Sequence, residues 1–133
     1  MDLDNIGEVK DTTEVEIFDP RTQTPLINDD GTAMTVTVYG PYSAQQKAVR
    51  DNQQNRRIKR AQRTGGKLSL TAEEMYEDQT RLIVKCVQSW NIQRGGEKVD
   101  CTEENVRDVL DRYRWLREQL EVVIEDTSSF LET

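Results

Sequence analysis

The sequence predicts an α+β fold, mostly helical, in which an N-terminal antiparallel β ribbon is followed by three to four α-helices. Three observations carry this reading. Two short early segments alternate apolar and polar residues with the period of a strand. Two later segments repeat their apolar residues with the period of a helix, and three helical segments open on a residue suited to cap them. The chain has 133 residues, of which 35% are hydrophobic, enough for one core and too few for two.

The first dozen residues carry no clear period, and 1–12 is read as a flexible N-terminus ahead of a single domain over 13–133. From Thr13 to Phe18, Val15 and Ile17 alternate with Glu14 and Glu16, and Thr35 to Tyr39 (Thr-Val-Thr-Val-Tyr) alternates in the same way. Asp19-Pro20 and Asn28-Asp29-Asp30-Gly31 supply turn chemistry between them. The ribbon therefore spans 13–42, with Leu26 and Ile27 available for a short extra strand. Two strands alone are marginal in water, so the ribbon must pack on the helices.

After Gly40-Pro41, Ser43 and Gln46 form a capping box that starts a helix over 43–64, ended by Gly65-Gly66. Its only apolar residues are Ala44, Ala48, Val49, Ile58 and Ala61. A helix this polar buries no wide stripe, so it either protrudes or meets a partner. Thr71 and Glu74 form a second capping box, and Met75/Tyr76, Leu82/Ile83, Cys86/Val87 and Trp90 repeat along a helix over 71–91. Thr102 caps a segment over 102–127, read as one or two helices with a break near Arg114-Trp115. Its apolar face runs through Val106, Val109/Leu110, Tyr113, Leu116, Leu120 and Val123/Ile124, and residues 128–133 form an apolar tail around Phe130 and Leu131.

Charge is distributed in blocks. The formal net charge is −7, but residues 44–67 carry +7 and the blocks on either side carry −7 each. There is no histidine, which removes the commonest general base and the commonest metal ligand together. Two cysteines, Cys86 and Cys101, are too few for a zinc cage within one chain. A disulfide between them is possible on count, yet domains that depend on disulfides usually carry more than one pair, so buried or idle thiols are the favoured reading. No apolar run approaches the roughly 20 residues that cross a bilayer, and the acidic N-terminus lacks the features of a signal peptide.

The catalytic templates fail one by one. Gly65-Gly66-Lys67 lacks the earlier glycine and the following Ser or Thr of a phosphate loop. Asn28-Asp29-Asp30-Gly31 fails as a calcium loop because Leu26 and Thr37 occupy its first and twelfth positions. Asp100, Glu103 and Glu104 fit a helix start better than a metal site. No catalytic, cofactor-binding or metal-binding residue is therefore assigned.

Two candidate contact surfaces remain. The basic helix, through Arg56, Arg57 and Arg60, suits an acidic protein surface or self-association. Nucleic acid is the weaker reading, because the segment holds no aromatic residue to stack on bases. Trp115 lies one position off the Tyr113/Leu116 face and suits a partly exposed anchor.

The run Leu82-Ile83-Val84-Lys85-Cys86-Val87-Gln88-Ser89-Trp90 leads through a glycine-containing loop to Val99-Asp100-Cys101-Thr102-Glu103-Glu104-Asn105-Val106. It is followed by Trp115-Leu116-Arg117-Glu118-Gln119-Leu120 and Phe130-Leu131. This arrangement resembles the tail assembly chaperones of long-tailed (siphovirus-type) bacteriophages. The N-terminal ribbon, the basic helix and the connector Lys67-Leu68-Ser69-Leu70 extend the similarity over most of the chain from about residue 13.

The resemblance implies a non-enzymatic protein of the infected host cytoplasm, without cofactor, that binds the tape measure protein. It would keep that protein soluble while the tail tube polymerises, then leave before the virion matures. It also implies contact with tail tube protein in members that carry a frameshifted extension. On this reading Arg56, Arg57, Arg60, Trp115, Phe130 and Leu131 form partner-binding or self-association surfaces, with a homo-oligomer as one outcome and no membrane involved. Charge reversal at Arg56, Arg57 and Arg60 is then expected to weaken assembly without unfolding the domain. The alternatives are a structural virion component, such as a connector or tail-completion protein, and a small nucleic-acid-binding regulator that uses the basic helix.

Overall fold

The computed structural model describes residues 2–65 and 70–131. It is α+β. The strands β1 (Thr12–Glu16), β2 (Thr35–Tyr39) and β3 (Val87–Trp90) form an antiparallel sheet in the order β1-β2-β3. The helices are α1 (Leu3–Ile6), α2 (Ala44–Arg63), α3 (Ala72–Cys86), α4 (Glu103–Arg112) and α5 (Arg114–Ile124), with a closing 3₁₀ turn at Thr127–Phe130. Two further two-residue strands, β4 (Gln93–Arg94) and β5 (Glu97–Lys98), make a small hairpin at Gly95-Gly96.

Val15 pairs with Val36 across β1 and β2, and Val36 pairs in turn with Trp90 across β2 and β3. Val15, Ile17, Val36 and Val38 are buried and face the helices, while Glu14 and Glu16 face water. The ribbon thus finds its covering on one face only, as alternation requires. Leu26 and Ile27 form no regular strand; Ile27 makes a single bridge to Ala33.

The third strand corrects the helix expected over 71–91. The helix α3 ends at Cys86, and Val87 enters extended backbone at φ −74°, ψ 116°. Both Cys86/Val87 and Trp90 satisfy a helical spacing, but pairing with β2 offers the short β-prone run Val-Gln-Ser-Trp a hydrogen-bonded partner that a protruding helical turn lacks.

The caps explain the remaining boundaries. Ser43 Oγ accepts from the Gln46 backbone N–H at 3.1 Å, Thr71 Oγ1 from that of Glu74 at 3.1 Å and Thr102 Oγ1 from that of Asn105 at 3.1 Å. The glutamine and glutamate side chains of the two expected boxes do not reach back to their caps. Gln46 instead donates to the backbone carbonyls of Tyr39 at 3.3 Å and Ile124 at 3.2 Å, and Glu74 pairs with Arg60. Gly65 takes a left-handed φ of +76° after the end of α2, the conformation a helix stop favours in glycine. Of the expected connector Lys67-Leu68-Ser69-Leu70, residues 67–69 lie outside the described residues.

The core joins the sheet to α3, α4 and α5 through Leu82, Ile83, Cys86, Val106, Val109, Leu110, Leu116, Leu120 and Ile124. The chain breaks at Tyr113, between α4 and α5, where φ −117° and ψ 73° leave the helical region. The N-terminal stretch is tied down at Val9, which bridges Leu131, and at Lys10, whose backbone N–H donates to the Phe130 carbonyl at 2.8 Å.

Phe130 is 1% exposed, which corrects its reading as a contact residue: it is core. Its ring lies over Gly40, where a Cβ would sit 2.7 Å from the ring. Only glycine leaves the room that the aromatic group needs. Leu131 is half-buried in the bridge to Val9, so Phe130 and Leu131 pack onto the domain; residues 132 and 133 of the expected tail lie outside the described residues.

Candidate functional site

The basic helix does not protrude. It lies antiparallel to α3, held by a seam that is polar along almost its whole length. Gln53 donates to the Asp78 backbone carbonyl at 2.7 Å, Arg57 Nη2 meets Asp78 Oδ2 at 3.1 Å, and Arg60 pairs with Glu74. Gln46, Gln53 and Ala61 are the buried residues of α2. The spacing 46, 53, 57, 60 runs down one face of the helix, so the sequence places the seam there; hydrophobic periodicity cannot reveal it because its members are amides and guanidinium groups.

This arrangement divides the basic residues. Arg57 and Arg60 each pair with a carboxylate of α3, which makes their charge reversal a test of stability as well as of assembly. Arg56, Lys59 and Arg63 are exposed; among the described residues Arg56 is bonded from Nε to the Asn52 carbonyl at 3.4 Å.

Buried polar chemistry continues below α3. Arg117 is 4% exposed, yet every side of its guanidinium is matched. It donates from Nε to Glu121 Oε1 at 2.7 Å, from Nη1 to Thr80 Oγ1 and from Nη2 to the Tyr76 carbonyl at 3.3 Å. Its Cζ stands 3.9 Å from the Tyr76 ring centroid, a cation–π geometry. The sequence alone assigns this residue no role. The available signal was its place between Tyr113 and Leu120 on the i, i+4, i+7 stripe of α5.

Trp115 is half-buried and stands between two grooves. Its ring meets Tyr113 edge to face with centroids 6.0 Å apart and planes at 67°. Arg94 also lies 5.5 Å over the Tyr113 ring while pairing with Asp108 at 2.9 Å. A groove of about 310 Å³ beside Trp115 is walled by Leu26, Met34, Ile92, Val109 and Leu116. A second groove of about 370 Å³ on its other flank is walled by Phe18, Pro20, Gln119 and Val122. Trp115 is therefore a ridge shared by two sockets, with Val122 69% exposed at the rim. Gln119 fastens the second socket by exchanging hydrogen bonds with both backbone groups of Phe18, each 2.9 Å.

The cysteines are free, Cys86 buried and Cys101 exposed. Burial pushes the Cys86 thiol up to about 11, against the opposing influence of Gln46 and Arg50, so it stays protonated at neutral pH and is a poor nucleophile. Among the described residues, no group of three or more Cys, Asp or Glu is placed to hold a metal ion. No helix there is long and apolar enough to cross a membrane.

Neither a family model nor a curated protein nor a solved structure matches this chain.

Proposed function

We propose that this protein is a non-enzymatic tail assembly chaperone of a long-tailed bacteriophage, which binds and solubilises the tape measure protein in the host cytoplasm during tail tube assembly and is absent from the mature virion. The observation that supports the reading is the Trp115 ridge between its two sockets. A holdase needs apolar contact area that captures side chains of an extended helical partner and releases them later, and two adjacent sockets around one aromatic ridge suit successive apolar side chains of an amphipathic helix. The resemblance of the chain from about residue 13 to the family points the same way, and a net charge of −7 favours solubility of the complex.

The test is an affinity pull-down of the tagged chain from cells co-expressing its neighbouring genes, with nuclease treatment and mass spectrometry. A very long, helix-rich tail protein is the expected main partner. Val122→Glu, on an exposed side chain, should cut its recovery at least tenfold while changing stability by no more than about 0.5 kcal/mol. Loss of all bound material on nuclease treatment would overturn the reading in favour of a nucleic-acid-binding regulator. Presence of the chain in purified particles would overturn it in favour of a structural virion component.

A further inference from the structure

A cleft of about 230 Å³ opens between α2 and α3, and four guanidinium groups line it: Arg56, Arg57 and Arg60 from α2 and Arg81 from α3. Three carboxylates share the lining, Glu74, Glu77 and Asp78. Each is already engaged: Glu74 by Arg60, Asp78 by Arg57 at 3.1 Å, and Glu77 by Arg107 at 2.9 Å and by Arg81 at 4.0 Å. Four cations and three carboxylates therefore line the cleft, an excess of one positive charge on a chain whose net charge is −7, and Arg107 from outside the lining takes up Glu77 at the shorter distance.

The unmet hydrogen-bonding capacity lies on the same groups. Arg57 Nε is buried and meets no acceptor within the described chain, a costly state for a charged donor. Among the described residues Arg81 makes only its long contact to Glu77, and Arg56 spends Nε on a helix carbonyl with no acceptor there for its terminal nitrogens. Guanidinium groups converging with spare N–H donors match the planar or tetrahedral oxygens of a carboxylate or phosphate.

We propose that the α2–α3 cleft is an oxyanion site, in which Arg56, Arg81 and the Nε of Arg57 hold a phosphate or carboxylate group. The three lining carboxylates oppose the ligand, and their engagement by Arg57, Arg60 and Arg107 is what leaves the cleft net positive. An occupant would also bridge the two helices along a seam that has little apolar contact, so binding and stability are coupled. This site is separate from the Trp115 sockets and stands or falls without them.

The test measures the melting temperature of the full chain at fixed ionic strength, titrating either inorganic phosphate or a glutamate-rich decapeptide against sodium chloride. Near tenfold excess over Kd, a rise of about 5 °C is expected. A rise with phosphate assigns a small free oxyanion; a rise with the peptide alone assigns side-chain carboxylates of a protein partner. Arg56→Gln, on an exposed side chain, should remove at least half of the shift, and R56Q with R81Q should remove it entirely. No shift beyond that of chloride with either probe overturns the site. A shift undiminished by Arg56→Gln, or one that survives in a folded R56Q/R81Q variant, does the same.

Discussion

The two sides of α3 are held by different physics. Toward the sheet, α4 and α5 it presents Leu82, Ile83 and Cys86, each no more than 2% exposed. Toward α2 it presents Glu74 and Asp78 to arginines. The first contact is non-directional and insensitive to salt. The second depends on charge geometry at partly exposed side chains and is screened by ions. The same helix is thus anchored to the body by burial and clasped to α2 by pairing, and the clasp is the weaker side. That difference explains how a helix with almost no apolar residues becomes part of the domain.

Perturbing the apolar side should have the largest effect. Phe130→Ala removes a buried ring and is expected to cost about 3–5 kcal/mol, read from urea unfolding. Gly40→Ala approaches the same contact from the other partner by pressing a methyl into the ring, with an expected loss of about 1–3 kcal/mol. If either variant unfolds at the wild-type midpoint, the tail is not part of the core. The polar seam should yield less. Arg57→Gln is expected to cost on the order of 1 kcal/mol, since its pair with Asp78 is partly exposed. Raising sodium chloride to 1 M should lower the stability of the wild type towards that of the variant while leaving the penalty of Phe130→Ala unchanged. A salt-independent Arg57→Gln penalty would place the seam's stability in packing, not charge.

The smallest expected effect is at the closing turn. Asp126 accepts from Ser128 Oγ at 2.7 Å, Ser129 Oγ at 2.9 Å and the Ser128 backbone N–H at 3.1 Å, and these bonds hold its carboxyl below the ordinary 3.8. A carboxylate whose pKa is depressed on folding stabilises fully above the unfolded value and loses that contribution as pH falls through the folded one. Amide exchange at Ser128 should therefore gain protection relative to an Asp126→Asn variant near neutral pH. The gap should close as pH drops below the ordinary carboxylate value. An unchanging gap would take the cap out of the pH response.

Much of this architecture was legible in the residues. The alternation of Val15, Ile17, Val36 and Val38 marked the buried face of the ribbon, the apolar stripe from Val106 to Ile124 marked the helices over it, and Ser43, Thr71 and Thr102 marked where helices begin. Trp115, one position off its stripe, was legible as a partly exposed side chain. Local pattern and local hydrogen bonding decide such features, so a single segment contains the needed information.

Other features required the folded chain. Whether Val87–Trp90 ends a helix or adds a strand depends on β2 lying alongside it. Whether Phe130 is a free tail or a core residue depends on the room at Gly40, ninety residues away in the chain. Whether Arg57, Arg60 and Arg117 face water or a partner depends on carboxylates, carbonyls and a tyrosine ring brought from other elements. Hydrophobic burial is written into spacing because water rejects every apolar side chain alike. A polar or charged side chain can be satisfied by water or by protein, and only the tertiary structure decides which.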